Sequence, residues 1–201
     1  MHKEIDSFNP EIEELNESHK ELIKYFSVGN SRVSDKSFNC YIKDEAFEDQ
    51  QNGDGVSYIV YDVRAQDEKE VVAYFTLMAS SIPYISRLRE DNGSYNEEQC
   101  GISAIEIRMF AVNEIYQDTF YQGELIAAMV FKNIISMIDD MSKNTLGVKA
   151  IYLHSVAEAE SFYEKCNMNK MEKYMQPFHN ADSELQGMYA FIRKVPICYE
   201  E

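Results

Sequence analysis

One segment of the 201-residue chain has the composition of a phosphate-binding junction. The sequence AVNEIYQDTFYQGELIAAMVF, residues 111–131, passes from a strand end through a polar, aromatic loop into an apolar helix. Such junctions bind phosphate because the first N–H groups of a helix have no carbonyl partners within it. The loops are usually rich in glycine, since the backbone must approach the ligand closely, and this one contains only Gly123. A phosphate site and a simple connection therefore both stay open.

The histidines and cysteines do not indicate a metal site. The histidines show no spacing that would gather them around an ion; they are His2, His19, His154 and His179. The cysteines are scattered without a CxxC pair, which favours a reduced, cytoplasmic protein; they are Cys40, Cys100, Cys166 and Cys198. His154 ends a predicted strand, where a polar strand terminus and a pocket role are both open interpretations.

Charge narrows the classes of partner. The net charge is −16 and the pI about 4.6, which opposes non-specific binding to nucleic acid and to an anionic membrane surface. The first residues are charged throughout and no apolar run approaches membrane-spanning length, so we expect neither a signal peptide nor a transmembrane span. A local pocket for a phosphorylated ligand is compatible with this balance.

Hydrophobic periodicity predicts a mixed α/β chain. We expect an N-terminal helical extension over 1–34, containing an amphipathic helix at 10–26, and one domain over 35–201. Within that domain the pattern predicts, in order, a helix at 36–51, a hairpin of strands 56–63 and 71–79, and a loop with a helical turn at 80–100. A strand at 103–112, a helix at 122–141, a strand at 146–156, a helix at 157–166 and a strand at 187–195 follow.

Two strings resemble motifs of the GNAT family of N-acetyltransferases. AEAESFYEKCNMNKME, residues 157–172, is similar to A-x-x-F-Y-x-K-x-G-F; Ala159, Phe162, Tyr163, Glu164 and Lys165 match position for position. Asparagine and methionine replace the final Gly-Phe. Asparagine tolerates the left-handed conformation of a helix cap, and methionine keeps an apolar anchor.

The second string concerns the cofactor motif V-x-x-x-x-R/Q-x-x-G-x-G/A, which precedes a helical leucine pair. Without gaps, Val112 takes the first position and Gln117 the Arg/Gln position, while Phe120 and Gln122 replace the glycines. A lengthened loop would instead bring Gly123 into a glycine position. The predicted hairpin is also similar to strands of the toxin-like GNAT subgroup.

The resemblance implies a GNAT-like mixed, mostly antiparallel central sheet flanked by helices, acting as an acetyl-CoA-dependent N-acetyltransferase. It implies Tyr163 as general acid and Glu106 as the base that accepts the amine proton. Acetyl-CoA is the implied co-substrate, and the implied cofactor-binding residues are Phe110, Ala111, Val112, Gln117, Gln122, Gly123, Glu124 and Leu125. The expected acceptor is a primary amine on a small molecule or a protein, and aromatic strands can support a homodimer.

Alternatives remain at each position. Tyr163 can be a packing residue, and Glu106 lies in an alternating run that is typical of a solvated face. Bulky residues in the cofactor loop allow a second function, a GNAT-fold interaction module that has lost catalysis. Members of the toxin-like subgroup that acetylate aminoacyl-tRNA tend to be basic, and the acidity of this chain argues against that acceptor.

Overall fold

The computed structural model describes residues 3–30, 33–65, 68–175 and 185–195. Its strands are β1 Lys3–Glu4, β2 Pro10–Glu14, β3 Val56–Ala65, β4 Glu68–Arg89, β5 Tyr95–Val112, β6 Thr119–Tyr121, β7 Glu124–Leu125, β8 Ala150–Ser155, β9 Asn169–Lys170 and β10 Gln186–Phe191. Its α-helices are α1 Lys20–Ile23, α2 Val33–Cys40, α3 Ala46–Asn52, α4 Ile126–Asn144 and α5 Glu160–Lys165, and a π-helical stretch, Tyr41–Glu45, joins α2 to α3.

Seven strands form one mixed sheet in the order β2-β3-β4-β5-β8-β10-β9. β2 with β3, β3 with β4, and β10 with both β8 and β9 pair antiparallel, whereas β5 and β8 pair parallel. A parallel pair needs a crossover connection, and α4 lies within that connection. The strands β1, β6 and β7 form a separate three-stranded sheet. The predicted fold class, a mostly antiparallel GNAT-like sheet with helices, is confirmed.

The chain divides into two compact units, through both of which β4 and β5 run. The first unit comprises the described residues of 1–78 and 107–134, and the second those of 79–106 and 135–201. In the first unit one face of the helical segment 36–51 is buried: Tyr41, Ile42 and Ala46 pack in one cluster with Ile59 and Tyr74. In the second unit a smaller cluster joins Ile82, Ile102, Ala104, Ala150 and Met175.

The N-terminal segment differs from the helix predicted over 10–26. Pro10–Glu14 is a strand that pairs antiparallel with β3, and the helix α1 has only four residues. The edge of β3 offers free backbone groups, and pairing with them overrides the local helix propensity of a glutamate-rich segment. Leu15 and Phe26 are buried in the cluster of the first unit, so this segment contributes to its core.

Residues 80–100 also differ from the predicted loop with a helical turn. β4 and β5 continue through this range as strands of 22 and 18 residues, joined by a short turn around Gly93. The Arg87 guanidinium lies 4.1 Å from the Tyr95 ring centroid, and its Nε lies 3.5 Å from a Glu97 oxygen. Such cross-strand contacts stabilise an exposed hairpin whose composition alone resembles a loop.

The remaining elements follow the prediction closely. The helix predicted at 122–141 begins at Ile126 instead, and the strands predicted at 146–156 and 187–195 are β8 and β10. α5 ends as predicted, because Asn167 adopts a positive φ of 64° and Met168 is buried beside it. Among the described residues, no helix is long and apolar enough to span a bilayer.

Candidate active site

Three polar side chains of the second unit lie near one carboxylate, that of Glu106. Glu106 comes from β5, Tyr152 and His154 from β8, and Ser80 from β4. The parallel register places Glu106 directly opposite Tyr152, and His154 follows two residues later on the same face of β8. We call these four residues the Glu106 cluster.

Short hydrogen bonds connect three members of the cluster. The Tyr152 hydroxyl donates to Glu106 Oε2 over 2.6 Å, and Ser80 Oγ lies 2.6 Å from the Tyr152 oxygen. Because the tyrosine proton points to the carboxylate, the serine hydroxyl donates to the tyrosine oxygen. His154 Nδ1 lies 3.7 Å from Glu106 Oε1, an ion pair when the imidazole is protonated. The glutamate therefore meets a phenol at one oxygen and an imidazole at the other.

The cluster extends from the interior toward solvent. The Glu106 side chain is 14% exposed, while that of His154 is 43% exposed. Burial raises the pKa of the Tyr152 phenol far above its usual range, and the hydrogen bond to Glu106 raises it further. Tyr152 is consequently a neutral hydrogen-bond donor at physiological pH. A partly buried carboxylate held by a neutral donor can accept a proton from a bound cation such as an ammonium group.

Tyr163 lies on α5 in the second unit and is 8% exposed. Desolvation by burial is the main cause that raises the pKa of its phenol far above the usual range. The carbonyl of Tyr163 accepts the backbone N–H of Met168 over 3.0 Å, so the positive φ of Asn167 secures the end of this short helix. The raised pKa keeps the Tyr163 phenol protonated at neutral pH, so its O–H can donate a hydrogen bond. Its predicted role as general acid stays a prediction.

In the first unit, the side-chain amide of Gln117 binds the end of β5. Ala111 and Val112 are buried, and the Phe110 ring lies 5.4 Å from that of Phe131. Gln117 Nε2 donates to the carbonyl oxygens of Val112 and Val28, over 3.1 and 3.0 Å. Both amide protons of Gln117 are therefore used to join two chain segments, which is a structural role at the position matched without gaps to the cofactor motif.

The rest of the loop is a β-hairpin. Phe120 pairs with Leu125, and Tyr121 with Glu124, around a two-residue turn. The turn residues Gln122 and Gly123 have φ angles of 51° and 77°, as in a type I′ turn. Both are exposed, and a Cβ added at Gly123 would meet no atom within 4 Å. The single glycine of the loop serves this turn.

The N-terminal strand completes the small sheet. β1 pairs parallel with β6, and the Ile5 N–H donates to the Phe120 carbonyl over 2.9 Å. The buried Phe8 ring packs edge-on against Tyr121, 6.2 Å between centroids. The hairpin that leads into α4 is thus supported by residues from the other end of the first unit's sequence.

The prediction missed Ser80 and Tyr152. Ser80 fell in the segment interpreted as irregular, and Tyr152 was treated as an ordinary strand residue. The signal that could have found Tyr152 is the alternation in AIYLHS, which places it on the same strand face as His154. Among the described residues, no group of three or more His, Cys, Asp or Glu side chains could hold a metal ion.

Comparison with known proteins identifies the fold. No protein-family model matches the chain, and no curated protein matches it. A Tyr-to-Phe mutant of the toxin AtaT shares 14% identity over 93% of this chain and 92% of its own, with a TM-score of 0.66. AtaTR bound with acetyl-CoA shares 14% identity over 92% of this chain and 94% of its own, with a TM-score of 0.66. AtaT complexed with acetyl-methionyl-tRNAfMet shares 15% identity over 91% of this chain and 95% of its own, with a TM-score of 0.62. At such identities the similarity shows a shared fold, which is the GNAT fold that the motifs predicted.

Proposed function

We propose that this protein is an N-acetyltransferase that transfers an acetyl group from acetyl-CoA to a primary amine. The observation that carries the proposal is the Glu106 cluster, a partly buried carboxylate on the first strand of the parallel pair. The similarity to acetyl-CoA-bound AtaTR over more than nine-tenths of both chains supports the choice of co-substrate.

The start of α4 suggests a second alignment of the cofactor motif. The leucine pair of the motif should be helical, but α4 begins only at Ile126. With Gln122 at the Arg/Gln position, Ala127 takes the Gly/Ala position and the apolar pair becomes Val130–Phe131, both fully buried. Gln117 then falls at the valine position and Leu125 at the first glycine position, and both depart from the motif.

Acetyl-CoA, when bound, supplies the activated acetyl thioester. The first N–H groups of the 19-residue helix α4 would hold its pyrophosphate, since a helix N-terminus favours phosphate. The exposed turn Gln122–Gly123 leaves room beside them. The backbone of Phe110–Val112, together with Glu124 and Leu125, completes the proposed cofactor contacts. Gln117, whose amide is already bonded to two carbonyls, supports the strand end rather than the ligand.

Two residues have proposed proton-transfer roles. Glu106 accepts a proton from the acceptor ammonium, which leaves a neutral, nucleophilic amine. Tyr163, kept protonated by its burial, donates a proton to the leaving thiolate and regains one from the nitrogen as the amide forms. Each transfer contributes about 10²- to 10⁴-fold to the rate, as is usual for general acid–base catalysis.

The acceptor in this proposal is an amine on a small molecule or a protein. AtaT is seen with acetyl-methionyl-tRNAfMet, but this chain has a net charge of −16, which opposes binding to a tRNA backbone. AtaT is also seen bound to the C-terminus of the antitoxin AtaR, and we extend the proposal to a protein partner of that kind.

A second candidate function is a non-catalytic interaction module. The observation that favours it is the hairpin of β6 and β7, which replaces a glycine-rich loop and is braced by β1. In that case the α4 N-terminus would bind no cofactor. Calorimetric titration with acetyl-CoA separates the two candidates. If the protein binds no acetyl-CoA at millimolar concentration, the proposal that it is an acetyltransferase is refuted.

If the protein binds acetyl-CoA, a substitution of Tyr163 tests its proposed role as general acid. Tyr163→Phe should lower turnover by about 10²- to 10⁴-fold and leave the acetyl-CoA dissociation constant unchanged. The control is Tyr189→Phe, which removes a hydroxyl from β10 in the same unit. Equal turnover in Tyr163→Phe and the wild type would remove Tyr163 from the reaction. A screen of primary amines, including aminoacyl-tRNA, then identifies the acceptor.

A further inference from the structure

We propose that Tyr152 and Ser80 form a proton relay that carries a proton from Glu106 to solvent. The inference rests on the proposed function, in which Glu106 takes a proton from the acceptor amine in every turnover. Glu106 must lose that proton before the next cycle. An exit that does not lead back through the acceptor amine would return the carboxylate to its charged form.

The geometry supplies a continuous path. Glu106 Oε2 and the Tyr152 oxygen are 2.6 Å apart, and the Tyr152 oxygen and Ser80 Oγ are also 2.6 Å apart. Both distances are short for O–H···O hydrogen bonds. Tyr152 is buried, whereas Ser80 is only half-buried. The path therefore runs from a partly enclosed carboxylate through a buried phenol to a hydroxyl that water can reach.

The proton balance is simple. Before reaction, Ser80 donates to Tyr152 and Tyr152 donates to Glu106. After Glu106 has gained the amine proton, the two hydroxyl groups turn, so that the carboxyl group donates to Tyr152, Tyr152 to Ser80, and Ser80 to water. In the shift the O–H bonds broken at Glu106, Tyr152 and Ser80 are matched by those formed at Tyr152, Ser80 and water, so one proton enters at the carboxylate and one leaves at the serine. The raised pKa of the phenol is compatible with this path because a concerted shift needs no free phenolate.

His154 offers a competing exit. Its Nδ1 lies 3.7 Å from Glu106 Oε1, beyond a direct hydrogen bond, and its side chain is 43% exposed. The distances favour the tyrosine path, which makes a short bond to the other carboxylate oxygen. A His154→Gln variant tests this choice.

The test measures the rate of acetyl transfer by Ser80→Ala, Tyr152→Phe and Glu106→Gln at low and at high concentrations of imidazole buffer. Ser80→Ala keeps the Tyr152–Glu106 bond but removes the last step. We expect its turnover to fall several-fold at low buffer and to recover as imidazole rises, because a dissolved base replaces the relay. The turnover of Tyr152→Phe should fall by about 10²-fold, at the lower end of the range of acid–base effects. The control Ser136→Ala removes an exposed hydroxyl of α4 and should behave like the wild type.

A measurement without substrates checks the network itself. In protein with ¹³C-labelled glutamate, Tyr152→Phe should raise the pKa of the Glu106 carboxyl, since a donor to the charged form is lost. Tyr152 and His154 of β8 face this carboxyl directly, and Ser80 of β4 faces it through Tyr152. An unchanged titration would overturn the relay.

The outcomes separate the relay from the proposed function. A wild-type protein without acetyl transfer, or a fully active Glu106→Gln, would refute the function of Glu106. An inactive Glu106→Gln together with a fully active, buffer-independent Ser80→Ala would refute the relay alone. If His154→Gln instead shows the rescue by imidazole, the proton leaves through the imidazole and the relay is likewise overturned.

Discussion

Replacing Gly123 by alanine should destabilise the protein through the backbone alone. Gly123 is the second residue of the turn between β6 and β7, and its φ is 77°. A Cβ there would meet no atom within 4 Å, so no clash contributes. The whole effect is then the conformational penalty that a left-handed residue imposes on alanine, about 1–2 kcal/mol.

The unfolded chain offsets part of this penalty. Alanine is less flexible than glycine when unfolded, which favours folding by about 0.4–1 kcal/mol. The net loss for Gly123→Ala is therefore about 1 kcal/mol. For a chain of this length that corresponds to a fall in Tm of about 2–4 °C. Gln122→Asn should act in the opposite direction by a few tenths of a kcal/mol, because Asn-Gly is the preferred pair for a type I′ turn.

Thermal and urea unfolding of the purified variants measure these differences. The matched control is Gly147→Ala, at an exposed glycine without a positive φ, where an added Cβ also meets no atom within 4 Å. It should be neutral or stabilising by up to about 1 kcal/mol. Equal stabilities of Gly123→Ala and Gly147→Ala would show that the turn does not impose a left-handed residue, and the argument for the hairpin would fail.

Three further predictions concern other parts of the fold. Gln117→Leu leaves two backbone carbonyls without their amide donor and should cost about 1–3 kcal/mol in urea unfolding; a neutral result would contradict the role of this amide in joining two segments. Asn167→Ala should lower stability by about 1 kcal/mol and Asn167→Gly should not, and equal loss in both would exclude the positive φ as the cause. The hydrogen bond from Lys69 lowers the pKa of Glu13 in the folded state. The carboxylate therefore stabilises the fold at a pH above its pKa in the unfolded chain, and this contribution is lost as the pH falls through its lower pKa in the folded protein. Below about pH 4.5 the stability of Glu13→Gln should thus fall less steeply than that of the wild type. The difference should be modest because the Glu13–Lys69 pair is exposed. Identical pH profiles of stability would contradict this role of Glu13.

Local patterns predicted the elements that are stabilised locally. The helix at 36–51, the β-branched hairpin and the asparagine cap after α5 are all visible within short windows of sequence. The errors are elements whose stability comes from distant partners. Pro10–Glu14 is a strand because β3 offers it an edge, and residues 80–100 are strands because they pair with each other across a turn. Neither register can be obtained from composition.

The site was predicted in part for the same reason. The motif resemblance pointed to Glu106, and its position in an alternating strand left its surroundings undetermined. Tyr152 becomes its partner only through the parallel register of β5 and β8, and Ser80 only because β4 continues past its predicted end. The sequence FYQGEL contains a two-residue hairpin signal at Gln122–Gly123. The prediction missed this turn because the segment was compared with a glycine-rich cofactor motif instead.

The pairing of β1 with β6 has a consequence for the order of folding. Lys3 and Glu4 are synthesised early, but their partners Thr119 and Phe120 leave the ribosome much later. Contacts between such distant segments form slowly because a long loop must close first. We therefore expect β1 to dock after the rest of the first unit has formed. Until then the outer edge of β6 carries unpaired backbone groups, and this interval is when a nascent chain is most open to association with another strand.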